Sequence, residues 1–220
     1  MNKPKIFIAC DTNNLTRVKK IINQTRSNKI KIGYKFGLEF MNSRNGRKFI
    51  SKLKNKIIFV DLKLNDTVNT MVSTVKALKD IKINYLTVHI SSGFAALKAV
   101  KKISGQTKII GVTTLTSLNN KDLKLIGYNK SVTNLVTHQA KLAKKANLDA
   151  LVCSPYEVRA VRKIFKKEII TPGVQMGKRN YDQKRSMEVN KVKSDWLVIG
   201  RAITKGNIKK NIQNLYNELR

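Results

Sequence analysis

The chain has 220 residues, of which 41% are hydrophobic, enough to bury the core of one large α/β domain. No apolar run reaches the length of a membrane span, and the first residues lack a signal-peptide pattern, so we expect a cytoplasmic protein with no membrane partner. The formal charge is +32, but lysines occur in nearly every segment and aromatic residues make up only 6%, so a nucleic-acid-binding protein is not favoured.

Short apolar runs, often β-branched, alternate with longer segments of helical period along the chain. The predicted strands are Ile6 to Cys10, Ile30 to Gly33, Ile57 to Leu62, Tyr85 to His89, Lys108 to Val112, Ala150 to Cys153, Ile169 to Ile170 and Trp196 to Ile199. The predicted helices cover residues 14–23, 37–54, 67–80, 93–104, 131–146, 155–166, 182–190 and 207–219. Eight β-α units predict a single-domain (β/α)₈ TIM barrel over residues 1–220, with a doubly wound open sheet as the alternative.

A helix-start signal follows the sixth predicted strand. Ser154, Pro155 and Glu157 combine an N-cap hydroxyl, a proline suited to the first helical position and a capping-box carboxylate. We therefore predict that the next helix begins at Pro155.

The third predicted strand, Ile57 to Leu62, runs into a charged pattern. Because alternate residues of a strand share a face, Asp61 and Lys63 point the same way. An ion pair at the end of an apolar strand is costly to desolvate without further partners, so this pair indicates a functional site. The alternative is a solvated salt bridge at the strand end. Lys31 in the second strand is predicted to project inward beside this pair. Asp66 lies beyond the strand, where it either caps the next helix or reaches a neighbouring subunit.

Polar residues and glycines follow the other predicted strands, at the end of a barrel where active sites form. The loops after the seventh and eighth strands contain glycines, an amide and a guanidinium, which are typical of a phosphate site; turn glycines and a solvated arginine are the alternative. A histidine at a strand end is as often structural as catalytic. These positions are Asp11, His89, Thr113 to Ser117, Pro172-Gly173, Asp182-Gln183 and Gly200-Arg201.

Several motifs occur in a characteristic order along nearly the whole chain. The most specific is Asp61-x-Lys63-x-x-Asp66, followed by Asn69-Thr70. The supporting motifs are Lys31-Ile32-Gly33, Val88-His89-x-Ser91, Val112-x-x-Leu115-Thr116-Ser117, Thr171-Pro172-Gly173, Asp182-Gln183 and Val198-x-Gly200-Arg201. With these motifs in this order, the sequence resembles the orotidine 5′-phosphate decarboxylase family.

The resemblance implies a homodimeric (β/α)₈ barrel that uses no metal and no organic cofactor. The implied reaction converts orotidine 5′-phosphate to uridine 5′-phosphate (UMP) in pyrimidine biosynthesis. The implied catalytic array contains Lys31, Asp61 and Lys63, together with Asp66 of the partner subunit, and Lys63 stabilises and protonates the C6 carbanion. The implied substrate-binding residues are Asp11 and the partner subunit's Thr70 at the ribose, Thr116 at the pyrimidine, and Gln183, Gly200 and Arg201 at the phosphate.

The sequence departs from the family pattern at two places. Residues 65–70 read Asn-Asp-Thr-Val-Asn-Thr where the family commonly has His-Asp-Ile-Pro-Asn-Thr, and Gln175 stands where an arginine is common. Lys178 and Arg179 are candidates to supply the missing charge. Metal-dependent phosphosugar decarboxylases and hexulose-phosphate synthases share the Asp-x-Lys-x-x-Asp core and are the nearest alternative. They typically have an acid in the second strand where this chain has Lys31, which favours the orotidylate interpretation.

Overall fold

The computed structural model describes residues 4–176 and 187–219. Its strands are β1 (Lys5–Ala9), β2 (Lys31–Gly37), β3 (Ile57–Leu64), β4 (Tyr85–His89), β5 (Lys108–Val112), β6 (Ala150–Val152), β7 (Glu168–Thr171), β8 (Val174–Gln175), β9 (Met187–Glu188) and β10 (Trp196–Ile199). Strands β1 to β7 and β10 close into a parallel barrel, in which each pairs with its neighbour in the chain and β10 pairs with β1. The two-residue strands β8 and β9 pair with each other. The closed barrel confirms the predicted (β/α)₈ fold over the open sheet.

Helices follow the strands and cover the outside of the barrel. They are α1 (Leu15–Gln24), α2 (Leu38–Met41), α3 (Gly46–Ser51), α4 (Val68–Ala77), α5 (Phe94–Ile103), α6 (Asn120–Leu125), α7 (Val132–Lys145), α8 (Val158–Ile164), α9 (Arg201–Thr204) and α10 (Ile208–Glu218), with 3₁₀ turns at Ile90–Ser92 and Val189–Lys191. Across the described residues, no helix is both long enough and apolar enough to cross a membrane.

The second strand is longer than predicted. Strand β2 continues to Gly37 instead of ending at Gly33, because Tyr34 and Phe36 are both buried in the core between strands and helices. The Tyr34 hydroxyl donates to the carbonyl of Ile22 at 3.2 Å, which ties the extended part of the strand to α1. The helix predicted at 37–54 is correspondingly split into the short helices α2 and α3.

The start of α8 also differs from its prediction. The Ser154 hydroxyl does donate to the Glu157 carboxylate, and the Glu157 N–H donates to the Ser154 carbonyl at 3.2 Å. These contacts form a turn ahead of the helix, whose first residue is Val158 rather than Pro155. The local signal is therefore real, but it lies one turn before the α-helical hydrogen bonds begin.

Two further differences lie near α6 and β9. The first five residues of the predicted helix 182–190 are outside the described part of the chain, and the rest of that prediction is wrong, because Met187–Glu188 form a strand and Val189–Lys191 a 3₁₀ turn.

The sequence pattern does not predict α6. That helix starts with a capping box, in which the Asn119 side chain accepts from the Asp122 N–H at 3.1 Å and the Asp122 carboxylate accepts from the Asn119 N–H at 2.8 Å.

Aromatic side chains fill the amino-terminal end of the barrel interior. Phe7 stacks on Trp196 with ring centroids 4.1 Å apart and meets Phe59 and Tyr85 edge to face at 5.0 and 5.2 Å. Gly33 makes room for this cluster, since a Cβ there would lie 2.6 Å from a carbon of the Phe7 ring. The interior is therefore closed at this end and is accessible from the carboxyl-terminal end.

A repeated side-chain hydrogen bond sets strand register at three places around the barrel. An Asn or Asp directly before β4, β6 and β10 accepts from the backbone N–H of the second residue of the preceding barrel strand. The three bonds run from Ile58 to Asn84 at 2.8 Å, from Ile109 to Asp149 at 2.8 Å and from Ile169 to Asp195 at 2.7 Å. They hold the amino-terminal ends of three strand pairs in alignment, and this alignment determines which residues reach the opposite end.

Candidate active site

A cavity of about 520 Å³ opens at the carboxyl-terminal end of the barrel. Its floor is apolar and includes Phe59, Val112 and Val198, and its walls carry charged and hydroxyl side chains. This volume and this mixture of surfaces are typical of small-molecule sites. The end of the barrel is also the one where barrel enzymes place their active sites.

Four charged side chains line one wall of the cavity and form a continuous set that we call the charged array: Asp11, Lys35, Asp61 and Lys63. The Lys35 ammonium donates to Asp11 Oδ1 at 2.8 Å and lies 3.4 Å from Asp61 Oδ2. The Lys63 ammonium donates to the same Asp61 oxygen at 2.8 Å. Negative and positive groups therefore alternate along the array, and Asp61 is bound by two cations.

Lys31 is not part of this array, and its predicted placement beside Asp61 is wrong. It is the exposed first residue of β2 and is in register with Lys5, at the amino-terminal end of the barrel. The chain contains two Lys-x-Gly sequences, one starting at Lys31 and one at Lys35. Both lysines share a strand face, but four residues of strand separate them by about 13 Å. Lys35 therefore holds the position that the sequence prediction assigned to Lys31.

Gly37 keeps the space beside the array open. A Cβ at this position would lie 3.3 Å from Asp11 Oδ1 and 3.6 Å from the Lys35 ammonium nitrogen. This close approach explains the glycine of the second Lys-x-Gly sequence, directly before α2. The glycine alone does not distinguish the two lysines, because each is followed by a glycine two residues later. The extension of β2 through the buried Tyr34 and Phe36 places Lys35, and not Lys31, at the cavity end of the strand.

Burial and neighbouring charges act in opposite directions on the two central groups of the array. Burial alone raises the pKa of the Asp61 carboxyl, but Lys35, Lys63 and the hydrogen bonds outweigh it and hold the pKa below its ordinary value. Burial alone lowers the pKa of the Lys35 ammonium, but Asp61 and Asp11 outweigh it and raise the pKa. Both groups are therefore charged at neutral pH although their side chains are only 10% and 11% exposed.

The backbone that carries Lys63 departs from a regular strand. Lys63 has a φ of 50°, in the left-handed region, and the pairing of β3 with β4 is irregular between Val60 and Leu64. The Lys63 N–H donates to the hydroxyl of Thr87 at 2.9 Å, and that hydroxyl donates to Asp61 Oδ1 at 2.9 Å. Sequence reasoning missed Thr87, because nothing in its local pattern shows that it contacts β3.

Asp66 and Thr70 lie outside the cavity of their own chain. Asp66 is exposed, and its Oδ1 accepts from the Thr67 N–H at 2.6 Å. This backbone hydrogen bond, aided by Thr70 and Thr67 hydroxyls, holds the pKa of the Asp66 carboxyl below its usual value. Helix α4 has Thr67 at its N-cap position, so Asp66 lies one residue before the cap. Its carboxylate is therefore exposed at the surface and is not part of the charged array in its own chain.

The remaining predicted residues divide between the cavity wall and the part of the chain that is not described. Thr116, Gly200 and Arg201 line the cavity, together with Gly173, which has a φ of 74°, and Gln175. The residues outside the described ranges are Lys178, Arg179, Asp182 and Gln183.

His89 is half-buried and does not line the cavity. Burial and then the nearby Lys63 ammonium lower the pKa of its imidazole, which is therefore neutral at neutral pH. The described ranges, 4–176 and 187–219, contain no group of three or more His, Cys, Asp or Glu side chains arranged to hold a metal ion.

These features define a TIM-barrel protein with a charge-lined pocket in the position of a barrel active site. The sequence model of the orotidine 5′-phosphate decarboxylase / HUMPS family matches residues 4–212, and the chain belongs to this family.

Relatives and solved structures agree with that membership. An orotidine 5′-phosphate decarboxylase of Wolbachia sp. subsp. Brugia malayi is 40% identical, and the match covers 96% of each chain. An orotidine 5′-phosphate decarboxylase of Buchnera aphidicola subsp. Acyrthosiphon pisum is 37% identical over 94% of this chain and 92% of the relative. The crystal structure of orotidine 5′-phosphate decarboxylase from Lactobacillus acidophilus superimposes with a TM-score of 0.83 at 27% identity, covering 100% of both chains.

Proposed function

We propose that the protein is an orotidine 5′-phosphate decarboxylase that releases CO₂ from orotidine 5′-phosphate and forms UMP in pyrimidine biosynthesis. Membership of the family and the names of the relatives at 37–40% identity support this activity. The observation that carries the proposal is the Lys63 ammonium, which lies at the cavity wall 2.8 Å from the buried Asp61 carboxylate.

The chemical step requires a cation next to C6 of the pyrimidine. When the bond from C6 to the carboxylate breaks, its electron pair stays on C6 and CO₂ leaves. The Lys63 ammonium stabilises this pair and then transfers a proton to C6, which gives UMP and a neutral amine that regains a proton from water. A fixed ammonium stabilises the developing charge strongly because the protein does not have to reorganise as the charge forms.

Asp61 and Lys35 hold that ammonium in place. Asp61 Oδ2 accepts from Lys63, while Lys35 neutralises Asp61 and Asp11 together. In this partly buried wall, unit charges about 4 Å apart interact by roughly 4 kcal/mol at an effective dielectric near 20. The array is therefore ready before substrate binds, and Asp61 is the group nearest to the departing carboxylate.

The other cavity residues have proposed roles in binding the substrate. Asp11 contacts ribose hydroxyls, and Thr116 contacts the pyrimidine. Gly200 and Arg201, with Gln183, hold the phosphate, whose remote binding energy supports the chemical step. The positions of Asp11, Thr116, Gly200 and Arg201 along the cavity wall support these roles, and Asp11 also accepts from the Lys35 ammonium.

The proposed enzyme is a cytoplasmic homodimer that works without metal, organic cofactor, membrane or nucleic-acid partner. Asp66 and Thr70 enter the site of the partner subunit, which is supported by their exposure and by their position outside their own cavity. In a two-fold dimer each subunit then supplies these residues to the other.

Turnover should survive removal of divalent metal. We expect the purified protein to consume orotidine 5′-phosphate, followed by its absorbance, at the same rate with and without EDTA. The alternative from the same suprafamily, a metal-dependent phosphosugar decarboxylase or hexulose-phosphate synthase, is less well supported because the charged residue that β2 brings to the cavity is Lys35 and not an acid. Absence of turnover on orotidine 5′-phosphate, with EDTA-sensitive turnover of a sugar phosphate, would contradict the proposal.

Sharing of the site between subunits predicts complementation. Lys63→Ala and Asp66→Ala proteins should each be nearly inactive, whereas a hybrid dimer has one site with both residues intact. Random reassociation of equal amounts should restore about one quarter of wild-type activity, because about half of the dimers are hybrids with one working site in two. Two different affinity tags verify that hybrids form. Hybrids without activity would show that Asp66 acts within its own subunit.

A further inference from the structure

We propose that Thr87 is a positioning residue for the decarboxylation step, because its single hydroxyl links the Asp61 carboxylate to the backbone of Lys63. This inference rests on the proposed function, whose reacting groups are Asp61 and Lys63. Thr87 itself is 1% exposed, in the middle of β4, and does not line the cavity. It therefore acts through its two neighbours and not by touching the substrate.

The hydrogen-bonding capacity of the hydroxyl matches its two partners. Thr87 Oγ1 donates its one proton to Asp61 Oδ1 at 2.9 Å and accepts from the Lys63 N–H at 2.9 Å. Asp61 Oδ1 is thus bound by Thr87, and Asp61 Oδ2 is bound by Lys35 and Lys63. With each oxygen occupied by different partners, the carboxylate has one preferred rotation about its terminal bond.

The hydrogen bond from the Lys63 N–H to Thr87 compensates for the irregular pairing between β3 and β4. Regular parallel pairing would supply a carbonyl of β4 to this N–H, but the pairing is irregular between Val60 and Leu64. A left-handed φ at a residue other than glycine costs about 1–2 kcal/mol, so the Lys63 backbone needs a partner that holds it there. The Thr87 hydroxyl is that partner, and it fixes the position of the Lys63 backbone from which the side chain extends.

The bond to Asp61 acts on charge as well as on geometry. A donor to the ionised carboxylate favours that form, so Thr87 adds to the effect of the two lysines in keeping the pKa of Asp61 low. Loss of the hydroxyl should raise the pKa of Asp61 and loosen both reacting groups together. A purely structural threonine would not change the protonation of Asp61.

The test compares Thr87→Val, which keeps the shape and removes the hydroxyl, with Thr87→Ser, which keeps the hydroxyl. We expect Thr87→Val to lower kcat by about 10- to 100-fold, which corresponds to the loss of one hydrogen bond to a charged group, with a KM within about threefold of wild type. In Thr87→Val the acidic limb of the kcat–pH profile should shift to higher pH, because Asp61 is protonated more easily. Thr87→Ser should recover most of the lost kcat and the wild-type profile.

A matched control separates this effect from ordinary destabilisation. Thr25 is also a fully buried threonine whose hydroxyl has two partners, the Ile21 carbonyl at 2.8 Å and the Tyr34 hydroxyl at 2.9 Å, but it lies at the end of α1 away from the cavity. Thr25→Val should lower the melting temperature and leave kcat and its pH profile unchanged.

Carboxyl NMR provides a readout that does not depend on activity. The Asp61 carboxyl should titrate at a higher pH in Thr87→Val than in wild type and Thr25→Val. An active wild-type enzyme combined with wild-type kcat and Asp61 titration in Thr87→Val would overturn the role of Thr87 alone. Equal damage in Thr87→Ser and Thr87→Val would overturn it as well. A wild-type protein that does not turn over orotidine 5′-phosphate would instead overturn the proposed function.

Discussion

Lys63→Ala should lower kcat for orotidine 5′-phosphate by about 10⁴-fold or more. A general acid typically contributes about 10²–10⁴-fold and fixed electrostatic stabilisation about 10²–10³-fold, and Lys63 is proposed to supply both. Substrate affinity should change much less, because the phosphate and ribose contacts are made by other residues. Steady-state absorbance measurements at saturating substrate would give kcat, and titration with the product UMP would report the ribose and phosphate contacts.

The control for this substitution is another lysine near the same strand. Lys54 is exposed and lies just before β3, at the opposite end of the barrel from the cavity. Lys54→Ala should keep kcat within about twofold of wild type, as expected for a surface position. The Lys63→Ala protein should remain folded because Lys35 still neutralises Asp61, which a melting curve would verify. A loss of only about tenfold in kcat would contradict the role of Lys63 as the proton donor.

Lys35→Met should lower kcat/KM by about 10²–10³-fold, comparable to removal of one preorganised hydrogen-bond donor from an active site. Lys35 is the group that Asp11 and Asp61 share, and its loss leaves these two carboxylates facing each other beside a negatively charged substrate. Removal of one partner from a buried ion pair typically costs about 3–5 kcal/mol of stability. Lys63 still binds Asp61, so the expected loss of stability is at the lower end of that range.

Lys31→Met is the matched control, since the two lysines lie on the same face of the same strand. Lys31 is exposed at the amino-terminal end of β2 and should tolerate the change with kcat/KM within about twofold of wild type. Steady-state assays and thermal melts of the two variants, made side by side, give the comparison. Equal activity losses in both variants would contradict the array that contains Lys35.

The sequence alone was sufficient for the fold class and for the ion pair at the centre of the candidate site. Eight apolar runs separated by helical segments predict the barrel, since a parallel strand needs a crossover and buries both faces. Asp61 and Lys63 are evident because an apolar strand that ends in opposite charges two residues apart places both charges on one face. Asp11, Thr116, Gly200 and Arg201 were predicted because active-site residues follow barrel strands, and all four line the cavity.

Only the tertiary structure decided which lysine completes the array and what holds it. Lys31 and Lys35 are four residues apart on the same face of β2, so the alternation of faces cannot distinguish them. Their positions along the barrel axis depend on where β2 ends and how it aligns with β3. Thr87 reaches Asp61 across an irregular pairing of two strands, 26 residues away in the chain. Local patterns specify the face on which a side chain lies, whereas long-range strand register specifies its position along the barrel axis and therefore its neighbours.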